Sequence, residues 1–375
     1  MKNILSQALM KSAMALVLLL GLLMSFHACA AVPSLAAEFA ASAPAGRRWL
    51  ALPKVVGHLT ANETGVVINT DDPYSVQIGE YYAKARGISA TRVLRLSLPI
   101  KSTLTPDEFE AFKKKVDVFF GPKVEALALT WRLPYGVNCN SITGALAMGY
   151  DAKLCTNGCQ PPSRASTYFG SVSTKPYADH KMRLSMLLAA KDADSAKALI
   201  DRGVRSDGTL GLRGAPPVNA HFVTTSDPVR SVRQQFFPPE GHDPVFGVDV
   251  HLDRTDALKN EERVLIYMTG LTQVDFLDTN EFVPGALGDH LTSFGGVIDK
   301  PHGQMTVLSW IDAGVTATYG TTSEPCAHWQ KFPHPQLLAG FYMQGATALE
   351  AYWKSVAWPQ QGLFVGEPLA SPFAR

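Results

Sequence analysis

The chain has 375 residues, 46% of them hydrophobic and 18% charged, which excludes a disordered or fibrous protein and provides apolar material for one large core or two medium ones. Lys and Arg total 34 against 33 Asp and Glu, so there is no net basic field to hold a polyphosphate backbone, and no nucleic-acid partner is expected.

The amino terminus reads as a targeting segment. Lys2 and Lys11 supply positive charge, Ala13 to Phe26 is an uncharged run, and Ala28-Cys29-Ala30 offers a small-x-small cleavage site. The run is shorter than the about 20 apolar residues that a membrane span needs. Residues 1–30 are therefore expected to be a signal peptide, leaving no stable membrane span after cleavage and a protein secreted across the inner membrane, periplasmic or extracellular. Residues 31–62, rich in Ala, Ser and Pro at their start, read as a linker.

Order is expected from near Gly65. Gly65 to Asn69 is a short apolar run, and after it Ile78, Tyr81, Tyr82 and Ala85 fall on one helical face; Asp72 is placed to cap that helix, Pro73 to begin it and Gly87 to end it. Arg92 to Leu96 is a second strand. Thr105-Pro-Asp-Glu108 has capping-box spacing, with Phe109, Phe112, Val116 and Phe119 behind it, and Gly121-Pro122 stops that helix before a strand at Glu125 to Thr130. Strands alternating with helices over short connections predict a parallel sheet with crossover helices.

Residues 131–190 are less regular and read as an insertion, with a short helix from Asn140-Ser-Ile-Thr143 through Met148. Asp194 to Gly203 is a helix, and Thr209 to Pro217 is a Gly/Pro-rich connection between two lobes. A second series follows: a strand at Asn219 to Thr225, a helix capped at Ser226 or Asp227, a loop from Phe237 to Asp249, and the most apolar strand at Val264 to Met268. A helix ending at Gly314, a strand at Val315 to Tyr319, helices at Pro335 to Met343 and Ala346 to Val356, and a final strand at Gly362 to Gly366 complete the chain. The fold class is α/β, in two sublobes at 63–215 and 216–375 with mainly parallel sheets and crossover helices on both faces.

Four cysteines follow the signal: Cys139, Cys155, Cys159 and Cys326. An even count in an exported chain points to two disulfides. Three pairings are open; Asn157-Gly158 suits a local turn joining Cys155 to Cys159, which leaves Cys139 for Cys326. A four-thiolate zinc site competes, but no second paired-Cys motif supports it, and no metal or cofactor is expected.

No GxxxxGK[ST], GxGxxG after a strand, HExxH or GxSxG is present, so the sequence lacks a phosphate loop, a dinucleotide cradle, a zincin helix and a hydrolase nucleophile elbow. What remains is a polar loop expected at the carboxyl end of a strand, where α/β sheets place ligands. Asp289, His290 and Ser293, with Cys326 near His328 and His334, are the catalytic candidates, because a hydroxyl or thiol beside an imidazole held by a carboxylate is an activated nucleophile. Helix or turn capping by Asp289 and Thr292, and a disulfide at Cys326, are the bland alternatives. Asn69, Asp71, Thr269 and Thr292 are expected to line a binding crevice, and Trp131, Tyr135 and Asn140 form a patch suited to a sugar or peptide.

VVINTDDPYSVQIGEYYAKARGI, ALALTWRLPYGVNCNSITGAL, VLIYMTG, LGDHLTSFGG, GQMTVLSWIDAGVTATYGTTSEPC and EAYWKSVAWPQQGLFVGEPLASPF resemble an uncharacterised family of exported bacterial proteins found in exosortase-carrying genomes. The order of Val264 to Met268, Ala313-Gly314, Val315 to Tyr319 and Gly366-Glu367-Pro368 also resembles, more distantly, the gingipain-type, caspase-like cysteine peptidases. That resemblance implies a caspase-like or flavodoxin-like arrangement. It puts Thr269-Gly270-Leu271 where the catalytic His turn belongs and Thr292-Ser293 near the Cys position, so the usual dyad is absent. Together the resemblances imply an envelope protein that binds a peptide or surface polymer, linked to exosortase-type sorting; the alternative is an unconventional hydrolase using Asp289, His290, Ser293 or Cys326.

Overall fold

Apolar runs bounded by turn residues build an eleven-stranded sheet whose two blocks meet at a strand from the end of the chain. The computed structural model describes residues 47–300 and 302–375; the signal peptide expected at 1–30 and the first part of the linker lie outside the described residues. The strands are β1 (Thr64–Asn69), β2 (Val93–Leu96), β3 (Thr103–Leu104), β4 (Ala126–Leu129), β5 (Gly136–Val137), β6 (Asn140–Ser141), β7 (Leu184–Leu187), β8 (Val218–Thr224), β9 (Gly241–Asp243), β10 (Val248–Arg254), β11 (Val264–Thr269), β12 (Phe282–His290), β13 (Ala317–Thr321) and β14 (Gly362–Gly366). The main sheet runs β2-β1-β4-β7-β14-β13-β12-β11-β8-β10-β9, and β3, β5 and β6 form a small second sheet. In the first block β2, β1, β4 and β7 are mutually parallel. In the second, β13, β12, β11, β8 and β10 are mutually parallel, with β9 antiparallel at the edge. Strand β14 joins them, antiparallel to β13 over five residue pairs from Ala317↔Gly366 to Thr321↔Gly362 and bridged to β7 through Val365↔Leu187.

The helices are α1 (Pro73–Arg86), α2 (Pro106–Phe120), α3 (Ile142–Met148), the short α4 (Lys153–Thr156) and α5 (Pro176–His180), α6 (Ala193–Ser206), α7 (Val307–Asp312), α8 (Pro335–Met343) and α9 (Ala348–Ser355). Their starts follow local capping chemistry. Asp72 accepts from Tyr74 N and Gly87 ends α1 in the left-handed region, and Thr105 and Glu108 make both halves of a capping box. A second box, Thr347 with Glu350, starts α9. One core packs α8 and α9 residues such as Leu338, Tyr352 and Trp353 with Leu184 and Met186 of β7 and Phe222 of β8. The other packs Ile78 and Tyr82 of α1 and Leu199 of α6 with Leu127 and Leu187, so helices cover both faces as expected.

Several local expectations change. Residues 228–236 form turns and a single 3-10 stretch at Val232–Phe236, because the Asp227 carboxylate accepts from Val229 N and Arg230 N and closes the backbone into a turn. The loop expected at Phe237 to Asp249 contains β9 and leads directly into β10. Asp289 and His290, expected in a loop, are the last residues of β12, which pairs with β11 and β13. The two disulfides are Cys139–Cys155 and Cys159–Cys326, each with Cα atoms 5.2 Å apart, in place of the local Cys155–Cys159 pairing. The cause is Asn140, whose side chain donates to Asp151 O and accepts from Asp151 N, both at 3.0 Å, and so lays the Cys139 turn beside the residues leading to Cys155.

Residues 47–59 run without regular structure along α8 and α9, held by side-chain acceptors: Gln336 for Leu50 N at 2.7 Å, Gln344 for Val55 N at 2.9 Å and Glu350 for Leu59 N at 3.1 Å. At the end of β14, Glu367 is fully buried and ion-paired with Arg86, whose Nε donates to its Oε1 at 3.0 Å; Arg86 also pairs with Asp207. Gly203 leaves room for that carboxylate, since a Cβ there would fall 2.5 Å from Glu367 Oε2. Arg86→Met strands the buried carboxylate and is expected to cost about 3–5 kcal/mol in denaturant unfolding, whereas the Arg86→Met/Glu367→Gln double variant recovers part of that loss. Equal midpoints for wild type and Arg86→Met would refute the dependence on this pair.

Candidate functional site

Loops from both blocks meet at the carboxyl-terminal ends of their strands. Ser323 Oγ, after β13, donates to Cys139 O, in the turn between β5 and β6, at 2.6 Å; Cys159 and Cys326 join the insertion that follows β4 to the same loop; and Ser102, after β2, donates to Asp299, after β12. This is the edge at which an α/β sheet presents ligand-binding groups.

The centre of the second block's edge is a buried ion pair. Arg233 of the 3-10 stretch faces Asp289 with both terminal nitrogens, Nη1 donating to Oδ2 at 3.0 Å and Nη2 lying 2.9 Å from Oδ1. Nη2 also donates to Thr269 O at 2.7 Å, which ties the ends of β11 and β12 together. Burial raises the Asp289 carboxyl above its ordinary value and Arg233 opposes that rise. Arg233 was not visible as a partner in the sequence; its only local signal is its place three residues after Arg230 in a turn rich in Val and Phe.

His290 follows and has no free nitrogen. Its Nδ1 accepts from Trp310 Nε1 at 2.9 Å, which leaves Nε2–H to donate to Met305 O at 3.0 Å. Burial pulls its pKa from 6.5 down to about 4. A general base needs a lone pair aimed at the nucleophile's proton. Here that lone pair is spent on an indole.

Thr292 is buried, its Oγ1 donating to Gln304 Oε1 at 2.7 Å and lying 3.5 Å from Arg230 Nε. Ser293 is half-buried and offers its carbonyl to Thr321 Oγ1 at 2.9 Å. Cys326 is in the disulfide with Cys159, and its N–H donates to Glu324 Oε1 at 2.8 Å. His334 caps α8 through Nδ1, and burial lowers its pKa to about 3. In the first block Asn69 is committed to Leu98, donating to its carbonyl at 3.0 Å and accepting from its N–H at 2.9 Å; Asp71 is exposed beside Ser97. Trp131 is buried and donates to Pro134 O at 2.9 Å, Tyr135 is buried beside Asp299, and Asn140 holds the Asp151 backbone.

The structure thus brings Thr269, Asp289 and Arg233 together and Thr292 beside Arg230, and leaves Asn69 and Asp71 among the residues that follow β2. Groups open to solvent on this edge include, besides Ser293 and Asp71, Arg230, paired with Asp227 at 2.7 Å, then Gln304 and the exposed His302, whose ring lies 5.0 Å from that of Phe294. The arrangement suits hydrogen bonding to a ligand more than proton transfer. Among the described residues no group of three His, Cys, Asp or Glu side chains could hold a metal ion, and no helix is long and apolar enough to cross a membrane.

No family model and no curated protein matches the chain. Two solved structures are similar at low level. The Arg-specific cysteine proteinase gingipain R has 10% sequence identity, with 83% of this chain and 78% of that chain covered and a TM-score of 0.44. A structure described as a protease has 9% identity, 84% and 79% coverage and a TM-score of 0.39. At these values neither likeness carries an argument about activity.

Two measurements check this geometry. A histidine held neutral in the fold takes up its proton later than in the unfolded chain, so its contribution to stability is full above pH 6.5 and falls with pH until about 4, where folded His290 also protonates. Denaturant midpoints across that range should decline with acidity, and His290→Gln, which keeps a donor and an acceptor without titrating, should flatten part of the slope; an unchanged slope would exclude the assignment. Peptide maps without reduction should contain Cys139 linked to Cys155 and Cys159 linked to Cys326, with no alkylation of the four. Recovery of a Cys155–Cys159 peptide would restore the local pairing.

Proposed function

We propose that this is an exported α/β protein that binds a peptide or a cell-surface polymer at the carboxyl-terminal edge of its sheet and does not cleave it. The observation that carries this reading is that both His290 nitrogens and the Cys326 sulfur are already bonded, so neither is free to form a nucleophile–base pair. Two disulfides agree with an oxidising compartment outside the cytosol. Arg230, Gln304 and His302 are the groups on that edge suited to backbone carbonyls and carboxylates of an extended ligand. The resemblance to exported proteins from exosortase-carrying genomes suggests a role beside surface-protein sorting.

The test is incubation of the purified protein with a mixed peptide library and with isolated sacculi, followed by mass spectrometry of bound and unbound material. Capture without new peptide termini is expected, and Arg230→Ala should weaken it by about two- to fivefold, the worth of a partly exposed charge. Turnover that persists in the purified protein and disappears in Ser293→Ala would overturn the reading in favour of a hydrolase built on Asp289, His290 and Ser293.

A further inference from the structure

A cavity of about 720 Å³ lies between the 47–59 segment, α8, the β9–β10 turn and the end of the chain. It is remote from the carboxyl-terminal edge: α8 starts beside Arg233's neighbour Pro333 and ends where Tyr342 donates to Gly285 O, near the start of β12. Its volume falls within the range of small-molecule sites.

The walls are mostly apolar. Trp49, Leu52 and Val55 of the 47–59 segment line it together with Met343, Phe373 and Phe246. Leu52 seats in a notch at Gly340, where a Cβ would come within 2.3 Å of its Cδ1, so the segment is fitted to the helix. Exposed apolar side chains lie in or beside the lining: Val245 is 74% exposed and Val56, next to the lining residue Val55, is 80% exposed.

Charge then selects the ligand. Among its side chains the lining carries two cations, Lys54 and Arg375, against one carboxylate, Asp243. Asp243 is occupied in its own turn, Oδ1 accepting from Val245 N at 2.9 Å and Phe246 N at 3.2 Å. Arg375 donates to Gly208 O and Leu210 O, and Gln344 Oε1 accepts from Val55 N. Lys54 is exposed and has no carboxylate within ion-pair distance among the described residues. An open, mostly apolar pocket with an unmatched ammonium in its lining fits a ligand with a long hydrocarbon body and a single anionic end.

We propose that this cavity binds a free long-chain carboxylate, its chain between Leu52, Phe246 and Met343 and its carboxylate at Lys54. The test is a fluorescence titration of the full chain with cis-parinaric acid, with palmitate and methyl palmitate as competitors. Saturable binding displaced by palmitate is expected, with the ester weaker by roughly two- to fivefold, the worth of an exposed ion pair. Lys54→Met should remove the preference for acid over ester, a readout that mere loss of packing would not move. Val245→Glu, at an exposed position that leaves the core untouched, should weaken both competitors. Absence of saturable binding, equal affinity for acid and ester in the wild type, or an unaffected Val245→Glu variant would each overturn the proposal.

Discussion

The constraint on which the rest depends is that two parallel blocks of strands are joined by β14, a strand of five buried residues. Neither block closes its own inner edge. The five pairs with β13 and the bridge to β7 remove two rows of open backbone groups at once, which a sheet edge buried between helices could not leave unsatisfied. The Glu367 carboxylate that follows has lost its water entirely and is acceptable only because Arg86 meets it. That pair ties the end of α1 to the last strand, and through Asp207 to the end of α6, so both helices over one face share a single electrostatic anchor.

The same economy governs the opposite edge. Asp289, His290 and Thr292 look chemically poised when written in a row, but each is consumed in holding strand ends together: Asp289 by Arg233, His290 by Trp310 and Met305, and Thr292 by Gln304. Buried polar groups in a low-dielectric setting are costly when unpaired, and pairing them removes the freedom that proton transfer needs. The surface that remains, with Arg230, Gln304 and His302, offers donors and acceptors to a partner.

How far the sequence speaks depends on how local the cause is. Thr105 and Glu108, Asp72 with Pro73 and Gly87, and the Pro335 to Met343 helix were legible because caps and turn residues act within a few positions. The Gly362 to Gly366 strand was legible as a strand but not as the joint of the sheet. Strand β10 was legible in the alternation of Val248, Val250 and Leu252 with Asp249, His251 and Asp253, and reading Phe237 to Asp249 as a loop overlooked that signal; its polar face stacks His251 on His221 with ring centroids 4.6 Å apart. The true cysteine partners depend on Asn140 meeting Asp151, and the role of Asp289 on an arginine 56 residues away. No short-range pattern encodes either contact.

The Cys159–Cys326 bond spans a sequence separation of 167 residues and stitches the insertion of the first block to the loop after β13. A protease that cuts an exposed loop between those two cysteines therefore releases no fragment. The pieces stay tethered covalently on one side of the cut and through the continuous sheet on the other. Separating the two pieces of a nicked molecule would require reduction of that bond as well as opening of the sheet.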